Sequence, residues 1–152
     1  MLLLFGCQDP LAEFNAPHAT PSPRPATKTT CSEPTLTWLP PGVEAVEREL
    51  KPYGPDLMGL EVMHADDAGD RSILVVAGGY MDEIIEAYDD LEPKGRIRVA
   101  GKPAVWLAGS LLDRPINVAV WFEDEPEPCE VRVVLTDGLG SRAFRTLARG
   151  IR

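Results

Sequence analysis

The segment Ile116-Asn117-Val118-Ala119-Val120-Trp121-Phe122 constrains the fold more than any other part of the chain. Read as a strand, it places Ile116, Val118, Val120 and Phe122 on one face and Ala119 and Trp121 on the other, because side chains alternate along an extended backbone. A strand apolar on both faces needs cover on both. Two stretches at helical spacing offer that cover. Met81, Ile84, Ile85, Tyr88 and Leu91 form an apolar stripe among Asp82, Glu83, Glu86, Asp89 and Asp90, and Pro93 and Gly95 are read as the stop of this helix. Phe144, Leu147, Ala148 and Ile151 form a second stripe near the end of the chain, with Ser141 as its expected cap.

Further strands are legible around these elements. Thr35 to Leu39 reads as a short one, stopped by Pro40-Pro41-Gly42, and Val43 to Leu50 reads as a brief helix or a strand before Pro52. Gly59–His64 and Ser72–Ala77 flank Asp66-Asp67-Ala68-Gly69-Asp70, whose residues favour turns, giving a hairpin. Arg96–Ala100, Pro103–Leu111 and Ile116–Glu123 form a meander through Gly101-Lys102 and Asp113-Arg114-Pro115 turns, and Cys129–Thr136 is the last strand. The fold class is α+β: an antiparallel sheet of about six strands packed against one or two helices, one of them C-terminal.

Ahead of this domain lies chain of another kind. The stretch Met1-Leu2-Leu3-Leu4-Phe5-Gly6-Cys7 is an apolar run ending in a small residue and a cysteine, and Leu4-Phe5-Gly6-Cys7 resembles the bacterial lipobox. That resemblance implies that residues 1–7 are the remnant of a signal peptide and that the Cys7 thiol carries a lipid. Residues 8–30 hold Pro10, Pro17, Pro21, Pro23 and Pro25 among Ser, Thr and Ala, a composition expected to form a disordered tether. The remainder, 31–152, is a single α+β domain. An ordinary disordered N-terminus is the alternative to an anchor and tether.

With Cys7 lipidated, Cys31 and Cys129 remain of the 3 cysteines, and their pairing in a disulfide is expected of an oxidising, extracytoplasmic compartment. Two unpaired thiols are the other possibility. Three scattered cysteines with His18 and His64 lack the spacing of a zinc site, and the acidic turn at Asp66–Asp70 lacks the residue pattern of a calcium loop. No metal and no cofactor is expected.

Charge narrows the partners. The 24 acidic residues outnumber the 15 Lys and Arg, for a net charge of −9, which disfavours nucleic acid. The imbalance is uneven: residues 31–139 carry 22 acids and 9 bases, whereas residues 140–152 carry four arginines and no acid. Arg142, Arg145, Arg149 and Arg152 are read as falling on one side of the last helix, where they complement the helix C-terminus and surface acids or contact an anionic partner. Glu123-Asp124-Glu125-Pro126-Glu127-Pro128 is read as a solvated, self-repelling loop.

Catalytic signatures are missing from the sequence. No Gly-x-Ser-x-Gly elbow occurs, Gly109-Ser110 has no nearby histidine, and His64 has no adjacent Ser or Cys. Ala77-Gly78-Gly79-Tyr80 lacks the Lys-Ser/Thr pair of a phosphate loop and is read as a tight turn.

Leu39-Pro40-Pro41-Gly42-Val43, Val99-Ala100-Gly101-Lys102-Pro103-Ala104, Val120-Trp121-Phe122-Glu123 and the final Leu147-Ala148 helix together resemble an uncharacterised extracytoplasmic domain of bacterial, actinobacterial-type lipoproteins and membrane-anchored proteins, over roughly residues 35–152. The resemblance implies a lipoprotein-carrier-like fold, with a curved sheet wrapped around helices, and a location at the cell envelope. The function expected is a non-enzymatic structural or sensory protein-interaction module, anchored to the membrane by its N-terminal lipid. The alternative is a carrier for an apolar ligand such as a lipid or lipoprotein. Bulky Trp106, Leu107, Val118, Val120, Trp121 and Phe122 fill a small core and favour the first.

Overall fold

Residues 28–152 are described by the computed structural model; Cys7, His18 and residues 8–27 of the tether lie outside the described part. The elements run in the order β1 (Thr29–Thr30), β2 (Glu44–Pro52), β3 (Leu57–Ala65), β4 (Ser72–Ala77), α1 (Met81–Ala87), β5 (Glu92–Val99), β6 (Lys102–Leu111), β7 (Arg114–Phe122), β8 (Val131–Asp137) and α2 (Ser141–Arg149). The α+β class holds, with eight strands rather than about six. From edge to edge the sheet reads β2-β3-β4-β8-β7-β6-β5, antiparallel throughout, and β1 adds in parallel to the first residues of β3. β1 therefore lies inside the segment read as tether.

The double-sided apolar strand is where its sequence requires. β7 sits between β6 and β8. Ala119 and Trp121 face a core shared with Val134, Phe144, Leu147 and Ile151, so α2 covers this side. Ile116, Val118 and Val120 join Val131 and Val133 on the other side, under Met81, Ile84, Tyr88 and Leu91 of α1 and the turn that follows it. The two helices thus lie on opposite faces. Burying Phe144 and Leu147 completely contributes ~1.5–3 kcal/mol each. Phe122, expected in the core, ends β7 and is 47% exposed.

Several boundaries differ from the sequence reading for local reasons. α1 stops at Ala87, and Ile85 faces solvent. Pro93 and Gly95 lie inside β5, not at a helix stop. β5 is an edge strand with a register shift between Pro93 and Gly95, a setting that tolerates a proline without an N–H. The Val43–Leu50 segment is strand, as β2 on the opposite edge. Thr35–Leu39 makes only one bridge, Leu36 to Ile151, because its partner is the few residues left after α2. Gly140, not Ser141, occupies the N-cap of α2, and no side chain caps it.

Tight turns set the register of the meander. Ala100 and Gly101 join β5 to β6, and Leu112 and Asp113 join β6 to β7, all four with positive φ (51°, 74°, 50° and 62°). Such two-residue turns match the twist of the strands they connect.

Cys31 and Cys129, 98 positions apart in sequence, form a disulfide with their Cα atoms 5.1 Å apart. It ties the segment after β1 to the loop before β8, beside Leu60, Val62 and Ala77. Gly78 turns the chain away from β4 under this bond with φ at 96°, and a Cβ there would stand 3.0 Å from the Cys31 sulfur. The Ala77–Tyr80 segment, read as a tight turn, has no turn hydrogen bond of its own: the Gly78 and Gly79 N–H groups donate across to the carbonyls of Val131 at 2.8 Å and Pro128 at 3.0 Å.

Candidate binding cleft

The four C-terminal arginines do not act as one face. Arg145 and Arg149 project from α2 one turn apart and line an open cleft of about 400 Å³ together with Lys94, Arg96 and Arg98 of β5. Arg152 instead lines a separate cleft beside Glu33, Glu123 and Glu125, and Arg142 borders neither. The sequence reading gives these cations no role: it places Arg96 and Arg98 in a strand and leaves Lys94 between Pro93 and Gly95. Their alternation at 94, 96 and 98 was visible, but only the fold brings this edge against α2.

A chain of contacts holds the cleft in shape. Asn117, buried in β7, accepts a hydrogen bond from Trp106 Nε1 at 3.1 Å and donates from Nδ2 to the Leu139 carbonyl at 2.9 Å. That fixes the Trp106 indole, which stacks on Phe144 with ring centroids 5.8 Å apart. The Arg145 guanidinium carbon lies 4.8 Å from the Trp106 ring centroid, a cation–π arrangement contributing ~0.5–1 kcal/mol at an exposed site. Trp106, Ile97 and Ala148 form the apolar floor.

The charges around this floor are largely uncompensated. Among the described residues, no carboxylate lines the cleft. Lys94 reaches Glu92 at 3.4 Å, and Arg98 donates to the Gly101 carbonyl at 2.9 Å; Arg96, Arg145 and Arg149 form no ion pair among the described residues. In a chain of net charge −9 this is a concentrated positive site.

The acidic stretch after β7 behaves differently from the solvated loop expected. Glu123 accepts from Lys102 Nζ at 2.5 Å and from Trp121 Nε1 at 3.0 Å. Burial pushes its carboxyl up, but these two donors outweigh burial and hold it below the usual carboxylate range. Glu125 accepts from the Ser32 N–H at 3.3 Å and from Arg132 Nη2 at 2.6 Å. Arg132 is 1% exposed, and its Nη1 donates to the carbonyls of Cys129 and Val131. These acids lock the disulfide end of the domain.

Elsewhere, polar groups serve the fold. Asp66 Oδ1 accepts from the N–H groups of Asp70 and Arg71, and Oδ2 accepts from Arg71 Nε at 2.9 Å. The Arg71 guanidinium leads these contacts in holding the Asp66 carboxyl below its ordinary range. His64 is buried beside Leu36, Leu39 and Val75, and burial lowers its pKa. Among the described residues, no group of three His, Cys, Asp or Glu side chains is placed to hold a metal ion, and no helix is long and apolar enough to cross a membrane.

No protein-family model matches this chain, and neither the curated proteins nor the solved structures contain a match to it.

Proposed function

We propose that the protein is a non-enzymatic interaction module of the bacterial cell envelope, whose contact surface is the cleft between β5 and α2. One observation carries this reading: Lys94, Arg96, Arg98, Arg145 and Arg149 converge from two elements on one open cleft that no carboxylate of the described residues lines, in a strongly acidic chain. Uncompensated like charges held together destabilise a fold unless something else requires them. The partner is anionic, and the domain works as a lipoprotein-type module held at the membrane by lipid on Cys7. The Cys31–Cys129 bond supports the extracytoplasmic location, since such bonds persist in oxidising compartments. The carrier alternative gains nothing from the interior: Trp121, Phe144 and Leu147 fill the space between sheet and α2, all at 0% exposure.

Two measurements on the full chain test this. The intact mass from a native membrane fraction is expected to show a diacylglyceryl adduct on Cys7 and a gain of two hydrogens on reduction. A full-length Cys7→Ser variant is expected to stay associated with the envelope fraction in a salt-sensitive way, and Arg145→Glu with Arg149→Glu is expected to release it. An unmodified chain with free thiols overturns the location; association unchanged by the charge reversals overturns the contact surface.

A further inference from the structure

We infer that the cleft receives an extended acidic peptide segment of a partner protein, added as a strand to the free edge of β5; the inference rests on the reading of the cleft as the contact surface. Among the described residues, β5 ends the sheet and pairs only with β6. Its outer edge therefore presents main-chain N–H and C=O groups without a strand partner, the template that strand addition uses.

The placement of the cations around this edge favours a strand over a ligand lying on one face. Ile97 pairs with Ala104 and Gly95 with Trp106, on the face that α2 covers. Arg96 pairs with Val105, which pairs with Val120 on the α1 face. Alternation therefore assigns Arg96 and Arg98 to the α1 face of the sheet, whereas Arg145 and Arg149 belong to the helix on the other. All four line the same cleft, so the cleft wraps the edge. A strand in the plane of the sheet would place alternate side chains on alternate faces, and an acidic residue at either phase would meet a guanidinium. Arg145, held over Trp106, keeps its N–H fork available for a carboxylate.

The rest of the surface limits the length of the ligand. Beyond the cleft the domain is acidic, so a long polyanion would leave the cations and run onto repelling carboxylates. A short segment mixing acidic with apolar side chains satisfies the arginines and also covers Ile97, Trp106 and Ala148 on the cleft floor. The edge charges deter strands like β5 itself through like-charge repulsion, while they admit an acidic one.

The test uses the full chain and three probes: a synthetic peptide of the length of β5 composed of Glu, Val and Thr, the same peptide N-methylated at alternate residues, and a linear oligophosphate of equal charge. The plain peptide is expected to bind, to protect the β5 amides on the free edge from hydrogen exchange, and to shift tryptophan fluorescence. N-methylation is expected to weaken binding at least tenfold, because it removes the main-chain pairing. Arg96→Glu and Arg145→Glu are each expected to weaken it tenfold or more, with cooperative thermal melting retained and only a small downward shift for Arg145→Glu, which gives up its contact with Trp106. Oligophosphate binding with no peptide binding overturns the strand inference and leaves the cleft as contact surface intact. Binding of neither probe by a folded chain overturns both. Peptide binding indifferent to N-methylation, without protection of β5, overturns the strand geometry. Concentration-dependent self-association through the β5 edge that the peptide does not displace would assign the edge to a second copy instead.

Discussion

Arg132 and Arg145 are the same residue type in opposite circumstances. Arg132 is buried beside the disulfide, with Glu125 and two carbonyls accepting its N–H groups. Arg145 lies exposed on a tryptophan face, with no ion pair among the described residues and other cations around it. A buried charge is tolerated only where its partners repay its desolvation. An exposed group of like charges gains only the small cation–π and helix-dipole contributions from the fold, so the reason for gathering them lies outside the folded chain. One end of the domain spends its charges on its own structure, and the other holds them in reserve.

The largest effect should come from the spent end. Replacing Cys31 and Cys129 together with Ala is expected to cost about 4 kcal/mol, since a closed loop near 100 residues lies toward the upper end of the chain-entropy model. Urea unfolding of the oxidised wild type against the double variant measures it. A loss below about 1 kcal/mol would mean that the Glu125–Arg132 network, and not the covalent bond, holds this end together.

Arg132→Ala should follow at about 3 kcal/mol, because it takes the guanidinium from Glu125 and leaves the Cys129 carbonyl without its donor, whereas Val131 keeps the Gly78 N–H. The double variant Arg132→Met with Glu125→Leu is expected to regain most of that loss, since a buried arginine and its part-buried partner replaced by apolar residues of similar size no longer carry a desolvation cost. If the double variant is as unstable as the single one, Arg132 acts through packing and its contrast with Arg145 fails.

The two ends also differ in how far the sequence exposed them. Strand alternation at 116–122 and the stripes at 81–91 and 141–151 encode packing directly, through periodicity, and the layers around β7 follow from them. The pairing of Cys31 with Cys129 was open to counting. The roles of charged residues were not, because a charge carries no periodic mark of what it faces. Glu125 looked like solvated loop until the fold set it against Arg132, 7 positions away. Lys94, Arg96 and Arg98 looked unrelated to Arg145 and Arg149 until the meander carried β5 to the sheet edge beside α2. The helix stop assigned to Pro93 failed for a related reason: an edge strand accommodates proline, and edge position is a property of topology.

Asn117 connects the buried architecture to the cleft and should give an intermediate effect. Asn117→Ala leaves the Trp106 N–H and the Leu139 carbonyl unpaired in the core, at a cost of about 2 kcal/mol. With the indole loosened, Arg145 loses its platform, so tryptophan emission should shift along with the fall in stability. A stability loss with unaltered emission would separate the core from the cleft and remove Asn117 as the link between them.

The smallest effect is the most informative for the reserved end. Arg149 sits four residues after Arg145, and like charges at that spacing destabilise a helix by ~0.2–0.5 kcal/mol. It also lies in the last turn of α2, where a cation gains ~0.3–1 kcal/mol from the helix dipole. These contributions nearly cancel. Arg149→Gln is therefore expected to change stability by less than about 0.5 kcal/mol, as is usual for a surface position with no ion pair among the described residues. Thermal melting at low and high salt measures it, with high salt moving the difference further toward zero as both electrostatic effects are screened. A loss above about 1 kcal/mol would reveal a structural role that the absence of an ion pair argues against. Near-zero cost in stability, joined to loss of envelope association, is the pattern of a residue kept for a partner.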